Sequence, residues 1–407
     1  MQDAIYIQQN KRKAILTLLL CFMVALLEGF DIQSMGVAAP FIKAEFGLIT
    51  SQLAWVFSAA TLGMFPGALI GGRLADRYGR KRILMISVAI FGIMSLTTAF
   101  CINFSSFVIV RFLTGIGMGA ALPMMIAIAS ECVAPRYIGT AVSIMYTGVP
   151  AGAAVTALMA RYFSDASQWT HIFYLGGWVP LLILPLLFFF LAETIKKPAE
   201  SKQQGISFST VLFADNRLGA TLQIWISFFC TLIVLYFILN WLPILMRING
   251  LDNQKVNMIQ LVYQLGAAVG TLVIGQLLDR IQIKWVVIAI YTGVLTSLIC
   301  LAFSNDYYFL TGAAALCGFF LTGGQSALYA LAALIYPAEM RGTGVGVAVA
   351  VGRIGSFVGP LFAGLILSLS SSSSTVIGAS IPVIGIATFA ALLLVFSLNR
   401  NKNRLLA

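Results

Sequence analysis

Charge is scarce in this sequence: of 407 residues only 10% are Asp, Glu, Lys or Arg, and there is a single histidine, His171. Soluble domains carry charge at about 25% of their positions, so a cytosolic enzyme, a disordered chain and a pair of water-soluble domains are all excluded. One histidine builds neither a His-based triad nor a metal cluster, and no Gly-x-x-x-x-Gly-Lys-Ser/Thr is present to cradle a nucleotide phosphate. The six cysteines (Cys21, Cys101, Cys132, Cys230, Cys300 and Cys317) fall singly in or at the ends of apolar runs, without the paired spacing of a zinc site or the density of a disulfide scaffold. Free thiols, no metal and no cofactor are therefore expected, and the chain reads as a non-enzyme.

What is abundant is apolar length. Hydrophobic residues make up 60% of the chain, and a hydrocarbon slab about 30 Å thick needs roughly 20 apolar residues per helix. Runs of that size lie near 14–36, 52–73, 83–102, 106–131, 139–161, 171–192, 219–242, 256–278, 285–304, 308–332, 343–369 and 376–398. They predict an all-α membrane protein with twelve transmembrane helices, since lipid forbids an open strand edge but tolerates internal prolines such as Pro66, Pro123, Pro150, Pro360 and Pro382. The net charge of +11 is topological: 19 of the 25 basic residues fall in one alternating set of loops and ends, four in the other, and Arg111 and Arg353 lie within spans. By the positive-inside rule both termini are cytoplasmic, and nucleic acid is dismissed as a partner. Lys11-Arg12-Lys13 precedes a first run that carries Glu28 and Asp31 and no small-residue cleavage site, which predicts a retained span rather than a cleaved leader.

The spans divide six and six around a polar stretch, predicting an N-terminal bundle over 1–192, a cytoplasmic linker over 193–216 and a C-terminal bundle over 217–407. An internal repeat supports the division. Gly72-x-Leu74-x-Asp76-Arg77 recurs as Gly275-x-Leu277-x-Asp279-Arg280, and Arg136-x-x-Gly139 as Arg341-x-x-Gly344, both at nearly the same half-chain offset. Duplicated bundles are an architecture in which substrate binds at the midplane between repeats, so a gradient-driven transporter is expected.

Ionisable side chains inside a membrane are functional candidates by default. Glu28 and Asp31 share a helix face at i and i+3, and such carboxylates suit uptake of a proton on one side and its release on the other. Arg111 in the fourth span is a candidate organiser of this acidic pair; the plainer alternative is a static ion pair of the acids with Arg111 or Arg353. Arg353, in Gly352-Arg353-Ile354-Gly355, presents a fork suited to a substrate carboxylate. Tyr146, Asn240, Trp241, Gln325 and Tyr329, with Tyr236 a turn before Asn240, supply the aromatic faces and amides that a ring with hydroxyls would meet. In Gly72-Arg73-Leu74-Ala75-Asp76-Arg77-Tyr78-Gly79-Arg80-Lys81-Arg82 the glycines permit a tight turn and the charges a latch, so Gly72, Asp76, Arg77, Gly79 and Arg80 are candidate gating residues.

That loop resembles the signature of the major facilitator superfamily. Arg111 with Gly115, Gly117 and Gly119, Gly148-Val149-Pro150-Ala151-Gly152, and Glu193 resemble its other signatures. The acidic pair of the first span, Glu131-Cys132-Val133-Ala134-Pro135-Arg136 and Tyr336-Pro337-Ala338-Glu339-Met340-Arg341 are similar to the aromatic acid:proton symporter family, which usually has Asp where Glu28 stands. Pro66-Gly67-Ala68-Leu69 and Gly323-Gly324-Gln325-Ser326 look most like its 3-(3-hydroxyphenyl)propionate branch. The resemblance implies the two-bundle fold, proton-coupled uptake of an aromatic carboxylate (3-(3-hydroxyphenyl)propionate, hydroxycinnamate or hydroxybenzoate type) by alternating access, a monomer, and a multi-pass location in a bacterial inner membrane. Glu131 joins Arg111 among the charge-organising residues. The alternatives are a carrier or exporter of another organic acid such as muconate and, from another class, a membrane sensor that moves no substrate, for which 193–216 and 399–407 offer little room.

Overall fold

The computed structural model describes residues 2–133, 138–160, 168–191, 217–336, 341–370 and 372–406, so the expected linker lies outside the described residues. Among these, twelve helical segments are long and apolar enough to cross a membrane. The chain forms two compact units, Met1–Ala199 and Glu200–Ala407.

Unit 1 holds α1 (Gln2–Phe46), α2 (Thr50–Tyr78), α3 (Arg80–Thr98), α4 (Phe104–Glu131), α5 (Ile138–Tyr146), α6 (Gly148–Met159) and α7 (Trp169–Phe190). Unit 2 holds α8 (Leu218–Ile248), α9 (Asn253–Arg280), α10 (Ile283–Phe303), α11 (Tyr307–Ile335), α12 (Arg341–Leu369), α13 (Ser373–Gly378) and α14 (Ser380–Leu406). Two expected spans are thus each broken in two. Proline lacks an N–H and its ring crowds the carbonyl four residues back. Pro150 acts on Tyr146 and Pro382 on Gly378, where α5 and α13 end. Pro66, Pro123 and Pro360 instead lie inside continuous helices.

Helix ends follow local chemistry. Asn103 caps α4 by accepting from Ser106 N at 2.9 Å, and Asp306 caps α11 by accepting from Phe309 N at 2.8 Å. Asp252 caps α9 in the same way, and the Lys255 amide it accepts from holds its carboxyl below the usual carboxylate range. Between α2 and α3 the chain turns at Gly79, whose φ of 96° and ψ of 146° suit glycine alone.

The units are built on one register of glycine contacts. In unit 1 a Cβ on Gly63, Gly67 or Gly115 would overlap the carbonyls of Phe112, Ile116 or Ala60, locking α2 against α4. In unit 2 a Cβ on Gly266, Gly270 or Gly318 would overlap those of Ala315, Phe319 or Tyr263, locking α9 against α11, so that all six positions recur at one constant offset. The crossings of α1 with α6 and of α8 with α12 match likewise: Gly152 lies on the Leu26 carbonyl, and Gly355 on that of Phe229, again at that offset. Without a hydrophobic force between helices in lipid, such close backbone approach supplies the van der Waals packing that holds them. The short sequence repeat therefore marks a duplication of these two helix crossings.

Candidate functional site

Unit 1 concentrates buried charge. On α1, Gly29 sits between the two acids, where a Cβ would overlap the backbone of Val149 in α6. The α1–α6 crossing therefore runs through the acidic pair. Phe30 faces a small apolar cluster with Val37, Ala160 and Ile172, and its carbonyl accepts from Ser34 Oγ at 2.7 Å and Thr156 Oγ1 at 3.0 Å. Asp31 is 0% exposed and Glu28, one turn earlier, 2%.

From α4, Arg111 reaches Asp31: its Nη1 donates to Oδ2 at 2.8 Å, and the arginine is 2% exposed. Of the two arginines weighed as partners for the acids, Arg111 makes the ion pair, inside its own unit. Asp31 Oδ1 and Arg111 Nε have no hydrogen-bond partner among the described residues. The carboxylate is thus neutralised through one oxygen while the other keeps its lone pairs open to a proton or a water.

A second charged group gathers at the α2–α3 turn. Arg80, beside Gly79, pairs with Glu131 at the end of α4. Lys81 Nζ donates to Phe188 O at 2.7 Å and lies over the Phe188 ring, 5.6 Å from its centre. The gating candidate Arg80 and the charge-organising candidate Glu131 therefore join one cluster that ties α3, α4 and α7. Arg77 is exposed, its guanidinium 5.3 Å from the centre of the Tyr78 ring, and Gly72 has open space around its Cα. The side chain of Asp76 lies outside the described residues.

Unit 2 presents the half-buried Arg353 on α12, whose Nη1 donates to Tyr236 OH on α8 at 3.1 Å. Its neighbour Gly352 faces Leu232 and Phe228, and Phe228 meets Tyr329 of α11 edge-on at 5.4 Å. Gln325, one turn before Tyr329, is buried. Asn240 and Trp241 lie close by on α8, with their donors engaged: Asn240 Nδ2 donates to Tyr236 O at 2.7 Å and Trp241 Nε1 to Pro360 O at 3.1 Å. Tyr146 ends α5 in unit 1, half-buried against the core there.

A polar face on α9 lies outside the candidate residues named from the sequence. Asn257, Gln260, Gln264 and Thr271 are all buried and recur at spacings of 3, 4 and 7, which puts them on one side of the helix. That spacing inside an apolar run was the available signal. Phe228 was also missed, because nothing in sequence separates one core phenylalanine from the next.

The sequence profile described as the Major Facilitator Superfamily matches residues 21–252 and again 224–405. The chain is 46% identical to the 3-(3-hydroxy-phenyl)propionate transporter of Escherichia coli K12, over 95% of each chain. It is 31% identical to a 4-hydroxybenzoate transporter of Acinetobacter baylyi, over 86% of this chain and 84% of that one. Among solved structures, a D-xylose–proton symporter matches with a TM-score of 0.76 at 18% identity, over 94% of this chain and 97% of that one, a likeness of fold. With a duplicated set of twelve apolar spans and a family match that runs through both units, the chain belongs to the Major Facilitator Superfamily and is a multi-pass inner-membrane transporter rather than an enzyme.

Proposed function

We propose that this transporter imports an aromatic carboxylate together with a proton, by alternating access of its two six-span units, with both termini on the cytoplasmic side and the monomer as the working form. The observation that carries the coupling is the buried Asp31–Arg111 pair with its second carboxylate oxygen open. An ion pair in a low-dielectric interior is a two-state element: protonating Asp31 removes the partner of a desolvated guanidinium, and the resulting imbalance drives rearrangement. Glu28, buried one turn away, assists the transfer, and Arg111 organises the acids.

The substrate carboxylate docks on Arg353, whose planar fork suits a bidentate anion. Tyr146, Tyr329 and Gln325 meet the ring and its substituents, while Asn240 and Trp241 hold the wall around Tyr236. The aromatic class is supported by relatives named as transporters of 3-(3-hydroxy-phenyl)propionate, gallate and 4-hydroxybenzoate. Gly72, Asp76, Arg77, Gly79 and Arg80, with Glu131, form the cytoplasmic latch.

Uptake of labelled 3-(3-hydroxyphenyl)propionate into proteoliposomes under an imposed pH gradient tests this, comparing wild type with Asp31→Asn and with cinnamate, hydroxybenzoate, muconate and a sugar as competitors. Accumulation that Asp31→Asn abolishes, and that aromatic acids but not the sugar inhibit, is the expected result. Normal accumulation in Asp31→Asn moves the coupling elsewhere, and entry of no aromatic acid overturns the substrate class.

A further inference from the structure

Gln260 is 0% exposed, and neither Oε1 nor Nε2 of its amide has a hydrogen-bond partner among the described residues. A buried amide without partners destabilises a fold, so this side chain is not explained by stability. Nor does the scaffold call for it. The packing register shared by the two units places Phe57 of α2 at the position matching Gln260, and Phe57 is a buried ring in the same helix-pair geometry. An apolar side chain therefore serves where unit 1 needs only packing.

The direction is also defined. Tyr263, Gly266 and Gly270 form the side of α9 that meets α11. At 100° per residue, Gln260 stands about 60° round the helix from Tyr263, and Asn257 and Gln264 lie further round the same way. The result is a buried face of three amides beside the helix contact rather than within it.

From this placement we infer that Gln260 is the side chain through which the transporter reads a neutral polar substituent on its substrate's ring, a hydroxyl above all. The inference rests on the aromatic-acid reading above and deepens it. A primary amide offers one acceptor and two donors, so a phenol donates to Oε1 and accepts from Nε2, satisfying both orphaned atoms at once. A carboxylate fits less well, because Oε1 faces it with like partial charge; Arg353 answers that end. A site whose buried polar groups wait for a hydroxyl rejects the analogue that lacks it, since binding that analogue leaves them unpaired.

The test compares uptake of 3-(3-hydroxyphenyl)propionate and 3-phenylpropionate in proteoliposomes by wild type, Gln260→Met and Gln260→Asn, read as the ratio of the two kcat/KM values. Wild type favours the hydroxylated acid. In Gln260→Met that preference falls at least about fivefold, roughly 1 kcal/mol, with the loss borne by the hydroxylated acid and 3-phenylpropionate unaffected or improved. Gln260→Asn, shorter by one methylene, loses at least about twofold and serves alone if the methionine variant does not reach the membrane. An unchanged ratio, or an equal fall for both acids, overturns the inference and leaves the amide as packing or a water site. Uptake of neither acid by wild type overturns the aromatic-acid reading instead, so the two failures are distinguishable.

Discussion

Asp31→Asn keeps the shape of the side chain and deletes its charge, leaving Arg111, 2% exposed, as a buried cation without its counter-ion. Breaking a buried pair from one side costs about 3–5 kcal/mol, which at about 1.4 kcal/mol per decade is two to three and a half powers of ten in the folded population. Arg111→Gln strands the carboxylate and costs the same order. The double variant Asp31→Asn/Arg111→Gln removes both charges, and the molecule shows that its scaffold holds without them: the matching positions in unit 2 are Val234 and Ala314, both fully buried. Replacing a buried pair with neutral groups is often neutral or stabilising, so the double variant is expected near wild type and the cycle non-additive by at least about 2 kcal/mol. Thermal loss of monodisperse protein in detergent, measured for all four proteins, reads the order directly. Single variants as stable as wild type, or a double variant whose loss is the sum of the singles, refute the reasoning. The double variant is also expected to be stable and uncoupled; gradient-driven accumulation by it would show that the pair is structural.

Two further outcomes follow. Gly152→Ala pushes a methyl into the Leu26 carbonyl and destabilises unit 1 by about 1–3 kcal/mol or more, whereas Gly72→Ala meets open space and stabilises α2 by up to about 1 kcal/mol; thermal stability in detergent separates them, and a fall in transport by stable Gly72→Ala marks a gating role. Arg353→Lys keeps the charge but loses the planar fork, so KM for the aromatic acid is expected to rise at least about tenfold, with Tyr236→Phe, which removes one hydrogen bond to that fork, changing it much less.

The spans were legible because hydropathy reports the slab they cross. It does not report the helix: α1 continues to Phe46, well past the expected end near 36, because residues 37–42 carry the apolar run on and Pro40, inside the helix, does not end it. Pro150 and Pro382 were visible, but whether a proline kinks a span or breaks it depends on what its neighbours offer the freed groups. The acidic pair stood out as buried charge, yet its partner did not. Arg111 and Arg353 are equivalent in a list of residues, and only the α1–α4 contact selects Arg111. The amide face of α9 stands at helical spacing but does not stand out in hydropathy, since a run of 26 residues with six amides in all is still apolar enough to cross a membrane.

The duplication separates what the fold requires from what the function requires. Where the two units agree position by position, they agree on glycines and on the carbonyls those glycines touch. Some packing positions differ as well, Gly29 standing against Leu232 and Gly119 against Thr322, but the charged and amide differences fall on opposite sides. Unit 1 has Asp31 and Arg111 against Val234 and Ala314, and Glu28 against Thr231; unit 2 has Arg353 against Pro150, and Gln260 against Phe57. On the proposed function, proton chemistry then belongs to unit 1 and recognition of the acid chiefly to unit 2, with Tyr146 as the contribution of unit 1. Variants at Asp31 and Arg111 are then expected to change the dependence on the pH gradient while preserving the ranking of substrates. Variants at Arg353 and Gln260 are expected to change the ranking while preserving the dependence. A ranking shifted by Asp31→Asn would mean that recognition is shared across the units and that the divergence of the repeats does not divide the labour.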